Sequence, residues 1–125
     1  MSVGAVDQST DLLEAFSSQG PTDDTRLKPE ICGPDRTRTH QTTLSPSAPG
    51  TFPGTSASTP HVAGAAALLL EQNSGLSVSQ LRDKLINEAR NNVNYSIDNQ
   101  CGSNSGVVSL LDAYHVLQFL VLEIG

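Results

Sequence analysis

The sequence predicts a mixed chain of short buried strands and helices, forming one part of a larger domain. Two observations carry the element types and a third carries the incompleteness. Val3-Gly4-Ala5-Val6, closed by Asp7, is a short apolar run of strand length. From Val62 to Leu70 the chain is apolar without a polar face until Glu71, and such a run is helical in length and composition. A helix that is apolar all round must be covered all round. The rest of the chain supplies about three short strands and two more helices, which is thin cover for a central helix.

The elements follow in order. Val3 to Val6 reads as a buried strand, and Leu12 to Phe16 alternates loosely enough to be the next one. Ser17 to Asp24 is dense in turn formers. Lys28-Pro29-Glu30-Ile31-Cys32-Gly33-Pro34 reads as a brief strand stopped by Gly-Pro. Asp35 to Pro53 is rich in Thr, Ser, Pro and Gly and reads as a long loop, a length more often functional or disordered than architectural. After the helix that follows Ser56, a second has explicit start signals. Ser77 and Gln80 form a capping box, Leu76 and Leu81 occupy staple positions, and Leu81, Leu85 and Ala89 line one face while Lys84 and Glu88 pair on another. Asn91 to Asn104 is polar and turn-rich, and Ser109 to Ile124 reads as a third helix with Leu110, Ala113, Leu117, Leu120 and Val121 on its apolar side. No internal repeat is present.

Composition narrows the function. With 125 residues the chain has the length of one domain. Its 37% hydrophobic content and mean hydropathy of −0.20 are ordinary to low for a soluble protein. Thirteen acidic against seven basic residues give a net charge of −6, which offers nucleic acid no electrostatic footprint. The start, Met-Ser-Val-Gly-Ala, has no basic segment leading into an apolar one, so no signal peptide is expected. The most apolar tail, Val116 to Ile124, is too short to span a bilayer. The two cysteines, Cys32 and Cys101, have no zinc-ligand spacing. They could form one disulfide in an exported protein, but Cys32 reads more readily as a small apolar residue of a buried strand.

The chemistry concentrates in Gly54-Thr55-Ser56-Ala57-Ser58-Thr59-Pro60-His61-Val62-Ala63-Gly64. Here a serine stands in a tight Gly-Thr turn directly before the long apolar run. A helix starting near Ser56 leaves its first N–H groups unpaired and its positive dipole end at that hydroxyl. Those N–H groups can hold a developing oxyanion, which acyl transfer at a serine requires.

This segment resembles the nucleophile motif of the subtilisin-like serine peptidases, the subtilases. Phe16-Ser17-Ser18-Gln19-Gly20-Pro21-Thr22 and Lys28-Pro29-Glu30-Ile31 are similar to the family's Phe-Ser-Ser-x-Gly-Pro and Lys-Pro-Asp-Ile stretches, in the family's order. Ser2 to Asp7 looks like the strand entering the C-terminal half of the catalytic domain, and Gly106-Val107-Val108 with Ala113 resembles its closing pattern. The likeness runs from about residue 2 to 113 and leaves 114–125 as a tail outside it. It implies an α/β fold: the C-terminal part of a mostly parallel sheet, with a buried central helix after the serine. It further implies that Ser56 is the nucleophile and that its own N–H is half of an oxyanion hole. Gly54 and Thr55 would shape that turn, and Phe52 and Pro53 would border the substrate. In the family's order of Asp, His, Ser, the aspartate and the histidine base precede Met1, as does the asparagine of the oxyanion hole.

The histidines present do not replace the missing base. His61 lies five residues after Ser56 on the same helix and projects from another face, and the resemblance gives it a structural role. His40 in the long loop has nothing to orient it, and His115 reads as a packing or surface residue. Asp23 and Asp24 lack the spaced oxygen ligands of a calcium site. No cofactor is therefore expected in this chain, although the complete family protein often binds calcium. Gly33-Pro34-Asp35-Arg36 departs from the family's more usual Ala-Pro-Gly, and Thr37 to Pro49 matches nothing in it.

The expectation is thus a serine endopeptidase fragment, acting on polypeptide in the complete protein and inactive as this chain alone, because it needs the N-terminal part of its domain. The alternatives are a truncated, non-catalytic interaction module or a decayed gene product. No membrane or nucleic-acid partner is expected.

Overall fold

The computed structural model describes residues 1–10, 12–39, 50–91 and 106–107. Its elements are β1 (Val3–Asp7), β2 (Ile31–Asp35), β3 (Thr37–Thr39), β4 (Gly50–Phe52), α1 (Thr55–Gln72), α2 (Val78–Asn91) and β5 (Gly106–Val107). β2 lies between β1 and β5 in a parallel three-stranded sheet, with Val3 opposite Ile31, Asp7 opposite Asp35, and Ile31 opposite Gly106. β3 and β4 form a separate antiparallel pair. The chain is therefore an α/β unit with parallel strands and helices packed on them, as expected of part of a subtilisin-like sheet.

Alternation along β2 sorts the core. Ile31 points to one face, where Val62, Ala65 and Leu69 of α1 meet Leu85 and Ala89 of α2. Cys32 points to the other face and packs with Val6 and Leu13. α2 starts as the capping box predicts. Gln80 Oε1 accepts from the Ser77 N–H at 2.9 Å, and Ser77 Oγ accepts from the Gln80 N–H at 3.3 Å. Leu76 and Leu81 are both half-buried beside it.

Several expectations need correction. Leu12 to Phe16 is not a strand. Leu13 makes a single antiparallel bridge to Val6, held by Asp7 N–H to Leu12 O and Glu14 N–H to Ala5 O, both at 2.9 Å. The chain then turns at Ser17, whose N–H reaches Glu14 O and whose Oγ accepts from the Ala5 N–H at 3.0 Å. β2 does not stop at Gly33-Pro34 but runs through it to Asp35. Among the described residues β5 pairs with Ile31 and Cys32, and Pro34 lies opposite Val6 of β1. The stretch from Asp35 to Pro53 is not all loop, since its two ends zip together as β3 and β4.

Cys32 is also not a free thiol. It is fully buried, as expected, and disulfide-bonded. The other cysteine, Cys101, lies outside the described residues, as do the turn-rich stretch after Asn91, the third helix and the tail. α1 is buried along one stripe rather than all round. Ala57, Ser58, Val62, Ala65 and Leu69 are covered, while Ala63, Gly64, Ala67 and Leu70 are exposed. No helix among the described residues is long and apolar enough to cross a membrane.

The first turn of α1 sits directly on β2. A Cβ added at Gly33 would lie 2.7 Å from the Ser58 carbonyl oxygen and 3.1 Å from Val62 Cγ2. Only a residue without a side chain allows strand and helix this close. Beneath, Glu30 ties the N-terminal strand to its neighbours. It accepts from the Ser2 N–H at 2.5 Å and Ser2 Oγ at 2.8 Å, pairs with Lys28, and lies 3.7 Å from Arg82 of α2. Burial alone would raise its pKa, but the hydrogen bonds from Lys28 and Ser2 outweigh it and lower the value from 4.5 to about 2.

Gly33→Ala is expected to destabilise the chain by about 1–3 kcal/mol through overpacking. Gly64→Ala on the exposed face of α1, where an added Cβ meets nothing within 4 Å, should instead stabilise it by about 0.5–1 kcal/mol. Urea denaturation of the two variants checks the contrast. Because the folded-state pKa of Glu30 is depressed, its stabilisation is complete above pH 4.5 and is lost as pH falls towards 2. Glu30→Gln should therefore cost about 1–3 kcal/mol at neutral pH and progressively less over that window, read from urea midpoints against pH.

Candidate active site

The turn before α1 is shaped by one residue. Gly54 has φ 115° and ψ 161°, a conformation closed to residues with a side chain, and it serves as the helix N-cap without any side-chain capping bond. Its carbonyl accepts from the Ala57 N–H at 2.8 Å and, more weakly, from the Ser58 N–H at 3.4 Å. The N–H groups of Thr55 and Ser56 have no acceptor among the described residues. No acidic side chain occupies the first turn. The positive end of α1 is thus open to solvent at Ser56.

The two serines of the segment are separated by burial. Ser56 is exposed, whereas Ser58 is fully buried against β2 with its Oγ unpartnered. Pro60 stands inside the helix and has no N–H to give to the Ser56 carbonyl, which loosens the backbone just beyond that serine. Thr59 Oγ1 donates to the Thr55 carbonyl at 2.8 Å. Half-buried His61 has Nδ1 2.7 Å from the Ala57 carbonyl oxygen, four residues back, which pins the ring to its own helix. β4 delivers half-buried Phe52 and exposed Pro53 to the turn. The structure thus places Phe52, Pro53, Gly54, Thr55 and Ser56 on one continuous ledge. His40 and His115 lie outside the described residues.

A group of charges beside the ledge was not foreseen. Asp35, at the end of β2, is fully buried, and its Oδ1 accepts from the Gly54 N–H at 2.6 Å. Arg36 follows with φ 56°, a left-handed conformation unusual for a side chain of this size. Its guanidinium bonds to Glu14 and lies 3.6 Å from Asp7 and 3.9 Å from Asp35 Oδ2. The Gln8 side chain holds the Arg36 carbonyl at 2.9 Å. Hydrogen bonding from Arg36 keeps the nearly buried Glu14 carboxyl below its usual range, and the same bond raises the Arg36 pKa. Asp7 is lowered chiefly by the Ser9 hydroxyl and N–H. The sequence signal for this group was the departure at Gly33-Pro34-Asp35-Arg36, which marks the position but not the partner.

No group of three or more His, Cys, Asp or Glu residues is arranged to hold a metal ion among the described residues. Asp24, one of the two turn carboxylates, is engaged instead with Thr22 and with Arg26 at 2.8 Å.

The chain is 37% identical over 91 residues to bacillopeptidase F of Bacillus subtilis (strain 168). That alignment takes in 69% of this chain and 6% of the relative, so the chain spans a small fraction of that protein's length. A model describing the subtilase family matches residues 1–103, which include β1 and β2 of the parallel sheet, the Ser56 turn and the two helices. On that match, the chain belongs to the subtilase family.

Proposed function

We propose that Ser56 is the nucleophile of a serine endopeptidase. The observation that carries this reading is the exposed Ser56 hydroxyl at the open start of α1, with the Thr55 and Ser56 N–H groups unpaired among the described residues and Ser58 buried beneath. In the reaction Ser56 Oγ attacks a peptide carbonyl carbon and gives up its proton to a general base. The carbonyl oxygen becomes an oxyanion and accepts a hydrogen bond from the Ser56 N–H, aided by the helix dipole. Collapse of the tetrahedral species breaks the C–N bond. The base returns its proton to the leaving amine, and an acyl-enzyme remains. Water then attacks the acyl carbon and gives a proton to the base, which passes it to Ser56 Oγ as the ester C–O bond breaks and the carboxylic acid leaves. Phe52 and Pro53 border the substrate, and Gly54 and Thr55 hold the turn.

The chain does not supply the base from the described residues. His61, the one histidine among them, has its Nδ1 committed to the Ala57 carbonyl. We assign the base, its aspartate partner and the second oxyanion donor to sequence outside this chain. On its own the chain then has no proteolytic turnover, because an unassisted hydroxyl is a poor nucleophile near neutral pH.

The test is active-site labelling with a serine-directed phosphonate. Four proteins are compared: this chain, a longer protein extended in frame upstream with its encoded residues, and the Ser56→Ala variant of each. The expected result is labelling of the longer protein alone, abolished by Ser56→Ala together with at least about 10³-fold of its casein hydrolysis. A folded longer protein that takes no label, or whose hydrolysis survives Ser56→Ala, refutes the nucleophile. Ser56-dependent labelling of this chain alone refutes its inertness and places a base within it.

A further inference from the structure

Asp35 is a buried carboxylate for which the acyl-transfer chemistry has no use, and burying one without compensation is costly. Its compensation is specific. Thr37 pairs with Phe52 across β3 and β4, and continuing that register two residues outward sets Asp35 opposite Gly54. Backbone pairing does not extend there, because Arg36 turns left-handed at φ 56° and Gly54 has φ 115°. The Asp35 side chain takes over the next rung, with Oδ1 accepting from the Gly54 N–H at 2.6 Å. The other carboxylate oxygen faces the Arg36 guanidinium at 3.9 Å.

Gly54 is consequently held on both sides. Its N–H is fixed by β2 through Asp35, and its C=O is fixed by the first turn of α1 through Ala57 and Ser58. A glycine has the widest choice of backbone conformations, so this position would otherwise be the loosest joint in the turn. The orientation of the next two N–H groups, on Thr55 and Ser56, follows from the Gly54 conformation. We propose that Asp35 is a positioning residue that sets the nucleophile turn by clamping the Gly54 amide. It touches neither Ser56 nor the reacting carbonyl. Arg36, Glu14 and Asp7 form its outer support, with the guanidinium bonded to Glu14 and lying 3.6 Å from Asp7 and 3.9 Å from Asp35 Oδ2. The catalytic consequence rests on the serine-peptidase reading of Ser56; the clamp itself does not.

Amide hydrogen exchange separates the two. It is measured on this chain as wild type, Asp35→Ala and Asp35→Asn, at Gly54 and at Leu85 in α2. Asparagine retains an oxygen that can accept from Gly54, whereas alanine removes it. The clamp predicts that Asp35→Ala speeds Gly54 exchange by about 10–100-fold with Leu85 unchanged, and that Asp35→Asn stays within about threefold of wild type. Unchanged exchange at Gly54, or equal acceleration at Leu85, overturns it. If Asp35→Ala does not fold, Asp35→Asn decides alone, and a Gly54 amide as fast in it as in an unstructured peptide overturns the proposal. In the longer protein, the expected effect of Asp35→Ala is a loss of about 10–100-fold in kcat with KM little changed, largely restored in Asp35→Asn. An unaltered kcat overturns the catalytic consequence. A wild-type longer protein without Ser56 labelling sinks the peptidase reading instead, and leaves the exchange result to judge the clamp.

Discussion

Everything at the candidate site depends on how closely the first turn of α1 approaches β2. Gly33 offers no Cβ, and the Ser58 carbonyl oxygen occupies the space one would take. That contact buries Ala57 and Ser58, and with them it decides which residues of the turn face outward. Ser56 is exposed because its neighbours are pressed down. The same approach lets Val62, Ala65 and Leu69 continue along the stripe towards Leu85 and Ala89, so the core and the ledge share one cause. A side chain at position 33 would lift the helix off its strand and disturb both.

The second organising feature is that the ledge, a run of consecutive residues from Phe52 to Ser56, is tied to a residue far from it in sequence, Asp35 at the end of β2. The pairing of β3 with β4 brings these together, and it does so with only three residues on each side. Short ladders of this kind are weak by themselves. A charge-assisted hydrogen bond continuing the ladder beyond its last backbone pair strengthens it where the backbone conformation forbids further pairing. The carboxylates and guanidinium around Arg36 extend the same tie to the turn after β1, through Asp7 and Glu14.

What the sequence revealed divides along the range of the interactions involved. The capping box of Ser77 and Gln80 was legible because it is local, with partners three residues apart. The strand Val3–Asp7 and the helix after Ser56 were legible from continuous apolar runs. The family motif exposed the Ser56 turn and the segments of residues 16–31. The hidden parts are non-local. β3 and β4 have no apolar run, only register with each other. Pro34 looked like a stop, yet the strand continues through it because Val6 and Asp7 of β1 lie opposite Pro34 and Asp35, a pairing no local signal reveals. Leu12 to Phe16 alternated like a strand, yet its partner is a single residue of β1. The bond from Gly54 to Asp35 joins residues 19 apart and could be suspected only as a departure from the family's Ala-Pro-Gly.

Cys32 adds a kinetic dimension to the sheet. It lies on the central strand, fully covered, and its sulfur is committed to a disulfide. A thiolate must reach a sulfur along a defined line of attack to exchange with it, and at Cys32 the closed sheet offers no such approach. Attack at the Cys32 sulfur therefore waits for β2 to part from its neighbours, so that the strand carrying both Gly33 and Asp35 also shields one end of the bond.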